Sequence, residues 1–197
     1  MKAATDTNLK LWYKFDEASG TTVQDSSGNG FNGTYVNAIT RDTGVDGKSY
    51  VLAGGASNST TASYVKIPNG ILNGMDNITI AAWVKWSGGS SNQWLYALGV
   101  DSTKYEFLTP KLWSGKLHSA INNGGGEQSV AGSDALQTGV WKHLVTTIDS
   151  ATKTNVLYLD GVAVVTNKNV SWLVHSLDNI RKQLKKRSAQ LFMQQKL

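Results

Sequence analysis

The 197-residue sequence predicts an antiparallel β-sandwich, and three observations carry that reading. About ten short stretches of alternating apolar and polar residues are separated by turn chemistry every ~8–12 residues, the spacing of sandwiches and barrels. Glycine is abundant (20) and proline rare (2), which suits many tight turns between short strands. Hydrophobic residues make up 40% of the chain, with seven Trp and seven Tyr, enough to fill one sheet-on-sheet core in a domain of this size.

The elements follow in order. In Leu9–Phe15 the residues Leu9, Leu11, Tyr13 and Phe15 fall on one face, which predicts a strand. Asp25-Ser26-Ser27-Gly28-Asn29-Gly30 is dense turn chemistry, and Gly33–Val36, Ser49–Leu52 and Ser63–Ile67 resume as short strands, the last ended by Pro68. Asn77–Trp86 is the strongest strand: Ile78, Ile80, Ala82, Val84 and Trp86 share one face, as a central strand requires. Gln93–Gly99, Tyr105–Leu108, Lys116–Ile121 and Trp141–Asp149 follow. Thr154–Leu159 and Val162–Val165 flank Asp160-Gly161, the best hairpin signal in the chain.

The pattern changes after Ser171. Leu173, Leu177, Ile180, Leu184 and Leu191 recur at helical intervals, and Arg181 to Arg187 is strongly basic, so residues 172–197 are expected to form a basic amphipathic helix outside the 8–171 sandwich. From Trp172 onward six basic residues face one acid, which accounts for the whole net charge of +5; the remaining 13 basic and 13 acidic residues balance. A nucleic-acid partner therefore cannot be argued from overall charge. There is no cysteine, hence no disulfide or thiolate metal site; no apolar run approaches the ~18 residues of a membrane span, and Met1–Asp6 does not resemble a signal peptide.

Four segments, in order, resemble bacterial laminin-G-like domains, which are concanavalin A-like jelly rolls. They are Leu11-Trp12-Tyr13-Lys14-Phe15-Asp16-Glu17 leading through Gly20–Val23 to Asp25–Thr34; Ile78–Lys85; Trp141–Thr146; and Leu157-Tyr158-Leu159-Asp160-Gly161. The family's closing strands have no counterpart after Ser171. That departure suggests that they have been lost by truncation, fusion or frameshift. It predicts an open sheet, with unpaired backbone groups that invite self-association through the exposed edge.

The resemblance also implies ligands. Domains of this type hold a structural Ca²⁺, for which Asp25, then Asn29 and Asp16, are the candidate ligands; oxygen-rich side chains around glycine loops suit that ion. Read as residues alone, Asp25 and Ser26 equally make an Asx-turn, and Asn29-Gly30 a tight turn. Aromatic faces stack on the apolar faces of sugar rings, so Trp86, Trp94, Tyr96 and Trp113, in or beside the loop-rich middle, are candidate glycan contacts. No catalytic residues are assigned: the three glutamates Glu17, Glu106 and Glu127 are scattered, and glycosidases need two carboxylates across one cleft. His118, His143 and His175 lack metal-site spacing, and no nucleophile elbow or phosphate loop occurs. The reading is thus a non-catalytic carbohydrate-binding module of a secreted or surface bacterial protein, such as an accessory domain of a polysaccharide-degrading enzyme. A structural or adhesive spacer without a glycan ligand is the alternative.

Overall fold

A computed structural model describes residues 8–54 and 59–170 and the backbone of 191–194. The described residues form strands without a helix. In chain order these are β1 (Thr22–Val23), β2 (Gly33–Val36), β3 (Thr40–Thr43), β4 (Lys48–Leu52), β5 (Tyr64–Lys66), β6 (Asn77–Trp86) and β7 (Tyr96–Gly99). Then follow β8 (Lys104–Thr109), β9 (His118–Asn123), β10 (Gln128–Ala131), β11 (Trp141–Asp149), β12 (Thr154–Leu159), β13 (Val162–Asn167) and β14 (Leu191–Gln194). They make a seven-stranded sheet in the order β13-β12-β11-β6-β14-β4-β3, a four-stranded sheet β10-β9-β8-β7 and a small sheet β1-β2-β5, and neighbours within each sheet pair antiparallel. This is the all-β, antiparallel sandwich that the alternation predicts.

The strand period decides which side chains face inward. On β6 the buried residues Ile78, Ala82, Val84 and Trp86 come from the predicted inner face; on β11 Leu144, Thr146 and Ile148 alternate with half-buried neighbours. Their register, Ile148 opposite Ile78 and Leu144 opposite Ala82, lines these residues into one layer. Leu108, Leu95 and Val130 meet them from the four-stranded side, and Ile121 and Leu98 pack with Ile78 and Ile148. Asp160 and Gly161 connect β12 to β13 with φ of 51° and 83°, the doubly left-handed turn that Asp-Gly favours.

Two expectations need correction. Leu9–Phe15 is not a strand, although its alternation is real: Tyr13 and Phe15 are buried and Lys10 and Lys14 exposed. Its ladder contact is a single bridge, Tyr13 to Asp25. The Trp12 N–H donates to the Asp25 side chain instead, and Phe15 has a φ of 64°, outside the strand region. Tyr13 and Phe15 pack with Val23, Tyr35 and Tyr50, joining this segment to the small sheet and to β4.

The second correction concerns the closing strand. Leu191–Gln194, assigned to the helical tail, is β14, paired with β6 on one side and β4 on the other. The backbone donors and acceptors of β4 and β6 face one slot, and an extended segment satisfies both rows at once. The open sheet expected from the missing family strands is therefore spanned, and the sheet's edges are β3 and β13. The rest of the expected helix, residues 172–190 and 195–197, lies outside the described residues.

Candidate functional site

The outer face of the four-stranded sheet carries a stack of rings. Phe107, on β8, is buried, and the indole of Trp94 lies parallel over it, with centroids 4.8 Å apart and planes 6° from parallel. His118 and Tyr105 flank the same phenyl ring, each at 6.0 Å. Trp94 and Trp113 line one shallow hollow of ≈ 240 Å³, with Phe107 and Leu112 as further apolar lining.

Two turns fix the backbone beside the indoles. Trp113 sits at the tip of a tight turn, with Leu112 N–H donating to Lys116 and Gly115 N–H to Leu112, each at 2.8 Å; Gly115 takes a φ of 82°. Asn92, itself at a φ of 63°, accepts the Trp113 N–H on its side chain at 3.1 Å and donates its own N–H to the Lys111 carbonyl at 2.8 Å. Asparagine tolerates this left-handed conformation better than most residues. The Trp113 indole is 78% exposed, far more than a tryptophan in a packed core.

Polar groups form the opposite edge. The Tyr105 hydroxyl donates to Glu127 Oε1 at 2.5 Å and accepts from Asn122 Nδ2 at 3.4 Å. Burial first, and then the bond to Glu127, hold the Tyr105 hydroxyl above its ordinary pKa, so it stays a donor. Burial lowers the His118 pKa against the opposing pull of Glu127, so its ring is neutral at neutral pH.

Of the four aromatic residues expected to contact ligand, the structure brings Trp94 and Trp113 together at this hollow and turns the other two inward. Trp86 is 3% exposed, and its indole N–H donates to Gln93 Oε1 at 2.8 Å. Strand parity puts it on the core face of β6, so it is a core residue. Tyr96 packs against the two main core clusters, and its hydroxyl donates to Glu106 Oε1 at 2.8 Å. Tyr105, Glu127, Asn92 and Asn122 were not singled out by sequence. The signal was cross-strand register: Tyr105 pairs with Asn122, and Glu127 directly precedes Gln128, which pairs with Ile121.

The residues proposed for calcium are arranged as hydrogen-bond acceptors and turn braces. Asp25 Oδ1 accepts the N–H groups of Trp12 (3.1 Å) and Ser27 (2.9 Å), and Oδ2 accepts the Ser27 hydroxyl (2.8 Å) and the Phe31 N–H (3.0 Å). Burial alone would raise its pKa, but these bonds outweigh burial and hold the carboxylate below its usual range. The Asn29 amide donates to the carbonyls of Leu9 (2.7 Å) and Lys10 (3.1 Å). Asp16 stands apart and accepts the Lys48 N–H at 2.9 Å; a Cβ on Gly47, which has a φ of 72°, would run into its carboxylate. Among the described residues no three His, Asp or Glu side chains converge as a metal site. The donor set does not fit an ion cage, because N–H and O–H groups already point at both Asp25 oxygens.

The glutamates do not converge on one cleft either. Glu17 accepts from the Tyr50 hydroxyl and from the Gln24 N–H. Glu106 is fully buried on the inner face of β8, while Glu127 is bonded to Tyr105 of the outer face. Adjacent residues on a strand point to opposite sides of the sheet, so Glu106 and Glu127 flank different spaces.

Residues 58–181, more than half of the chain, match the concanavalin A-like lectin/glucanases superfamily. The chain belongs to this superfamily. A search of curated proteins finds no match. Among solved structures it is similar to the binding domain of Paraclostridial Mosquitocidal Protein 1, with a TM-score of 0.72 and 16% identity, covering 97% of this chain and 48% of that one. Domain 4 of AbnA, an extracellular arabinanase of Geobacillus stearothermophilus solved with arabinotriose, gives a TM-score of 0.63 at 21% identity, covering 94% and 82%. The binding domain of botulinum neurotoxin DC, in complex with rat synaptotagmin II, gives 0.66 at 14% identity, covering 93% and 46%. The chain thus spans about half the length of the two toxin domains. At these identities the likeness bears on fold alone.

Proposed function

We propose that this jelly roll is a non-catalytic carbohydrate-recognition module, and that its ligand lies in the hollow between Trp94 and Trp113. The observation that carries the reading is the 78% exposed Trp113 indole, braced at a turn tip beside a second indole that is already stacked on Phe107. Exposing a tryptophan that fully costs the fold hydrophobic burial. Bracing its backbone in a tight turn reduces the backbone entropy that binding would otherwise cost. Flat apolar rings edged by amide, hydroxyl and carboxylate groups suit sugars, which present apolar faces and polar rims.

The parent protein acts outside the cell, as a polysaccharide-degrading enzyme or surface protein in which this module holds the substrate. The superfamily membership and the fold shared with a domain of an extracellular arabinanase support that setting. The test is tryptophan fluorescence and calorimetry against arabinotriose, xylotriose and cellotriose. At least one should bind, and Trp113→Ala should weaken it tenfold or more, about 1.4 kcal/mol, while leaving the thermal melt unchanged. Absence of binding across a broad neutral and acidic glycan panel would leave the spacer reading in its place.

A further inference from the structure

We propose that the hollow sorts saccharides by charge: Glu127, aimed by Tyr105, makes it a site for neutral glycans and excludes uronates and sialylated sugars. The proposal rests on the recognition reading above and adds the ligand class. Among the described residues, the hollow is lined by one carboxylate, Glu127, and by no lysine or arginine. The lining itself therefore offers an anionic sugar no counter-charge.

The carboxylate is also held in place. Its Oε1 takes the Tyr105 hydroxyl proton at 2.5 Å, and the same hydroxyl is anchored by Asn122, whose own Oδ1 accepts the Gly124 N–H at 2.9 Å. Oε2 accepts nothing from the described residues, so an acceptor-only atom is left on the hollow's edge. Such an atom can bond a donor, which a sugar hydroxyl is and a sugar carboxylate is not. A hydroxyl bonded to an ionised acceptor makes one of the stronger hydrogen bonds available to a glycan. A carboxylate brought to the same place meets like charge at close range, a difference on the order of tenfold or more in affinity at a partly screened surface. The neutral ring of His118 supplies no compensating cation.

The test uses the full chain with arabinotriose, xylotriose and cellotriose as neutral probes, and trigalacturonate and sialyllactose as acidic ones. In the wild type the tightest neutral probe should bind at least tenfold better than either acidic probe, and the gap should narrow at high salt. Glu127→Gln, at an exposed position and hence harmless to the melt, should shrink the gap, and Glu127→Lys should bind at least one acidic probe. An acidic probe bound as tightly as the best neutral one, or failure of both variants to gain on any acidic probe, overturns the assignment while leaving glycan recognition standing. No binding by any of these probes or across the broader glycan panel overturns the recognition reading on which it rests.

Discussion

Asp25 and Glu106 are two carboxyl groups withdrawn from water, one in the N-terminal turn and one between the main sheets, and their environments push them in opposite directions. Asp25 is half-buried and receives four donors, three of them backbone N–H groups, so the ionised form wins. Glu106 is fully buried; Tyr96 donates to its Oε1 at 2.8 Å and Ser119 to the same atom at 3.3 Å, and its Oε2 has no partner among the described residues. Burial pushes its pKa up to about 8 against the pull of those two bonds. The difference shows that the supply of donors, set against burial, decides whether a withdrawn carboxyl keeps its charge. One group organises a turn as an anion; the other sits in the sandwich core as a neutral acid, bonded to the neighbouring strands of its own sheet.

The largest expected effect follows from Glu106. The folded chain keeps its proton where the unfolded chain, with an ordinary pKa of 4.5, has lost it. Its contribution is therefore complete below about pH 4.5 and is lost as pH rises through about 8, at a slope of up to ~1.4 kcal/mol per pH unit. Denaturant melts of the wild type should show stability falling by a few kcal/mol across that window. Glu106→Gln can still accept from Tyr96 and cannot ionise, so its melt should be nearly flat there and more stable than wild type at pH 8. An unchanged slope in the variant would show that the neutral-acid picture is wrong.

Asp25 should give a smaller loss with the opposite pH dependence. Its lowered pKa means that its stabilisation is present above the ordinary 3.8 and disappears as pH falls through the folded value. Asp25→Ala strands the N–H groups of Trp12, Ser27 and Phe31 and frees the segment that carries buried Tyr13 and Phe15; a loss of about 2–3 kcal/mol at neutral pH is expected. Asp25→Asn retains acceptance at one oxygen and should fall between wild type and Ala. If Asp25→Ala melts like wild type, the turn does not depend on its hydrogen bonds.

The two regions also differ in how far they could be read from sequence. The core strands were legible because burial on one face imposes period two, and β6 keeps it at Ile78, Ala82, Val84 and Trp86, with Ile80 half-buried and the small Ala81 buried on the other face. That same parity already marks Trp86 as interior, so aromatic character alone overstated its claim to a ligand. Tyr96 was harder: Leu95, Leu98 and Gly99 around it are all buried, so period two does not separate the faces of β7. The N-terminal segment misled in another way. Alternation was present, but the partner of its backbone is a side chain, Asp25, and side-chain competition for N–H groups leaves no periodic trace. Of the hollow, Trp94 and Trp113 were legible by type and loop context, whereas the Tyr105–Glu127 pair needs the register of β8, β9 and β10. For β14, the slot between β4 and β6 is a property of the folded sheet, and nothing local in Leu191–Gln194 announces it.

The smallest expected effect is the sharpest test of the Asp25 turn. A calcium ion would need outward-facing oxygens, and six to eight of them. Here both carboxylate oxygens face donors, the Asn29 amide bridges two carbonyls through its nitrogen, and Asp16 serves Lys48 elsewhere. Binding that cation would require breaking the bonds that define the turn, so millimolar calcium or a chelator should move the wild-type melting temperature by less than about 1 °C. Ligand linkage makes this measurement sensitive, since an ion at 100 times its dissociation constant adds about 2.7 kcal/mol. A calcium-dependent rise in melting temperature that Asp25→Asn abolishes would mean that the turn rearranges to bind metal, and that Asp25 belongs with metal ligands rather than with hydrogen-bond acceptors.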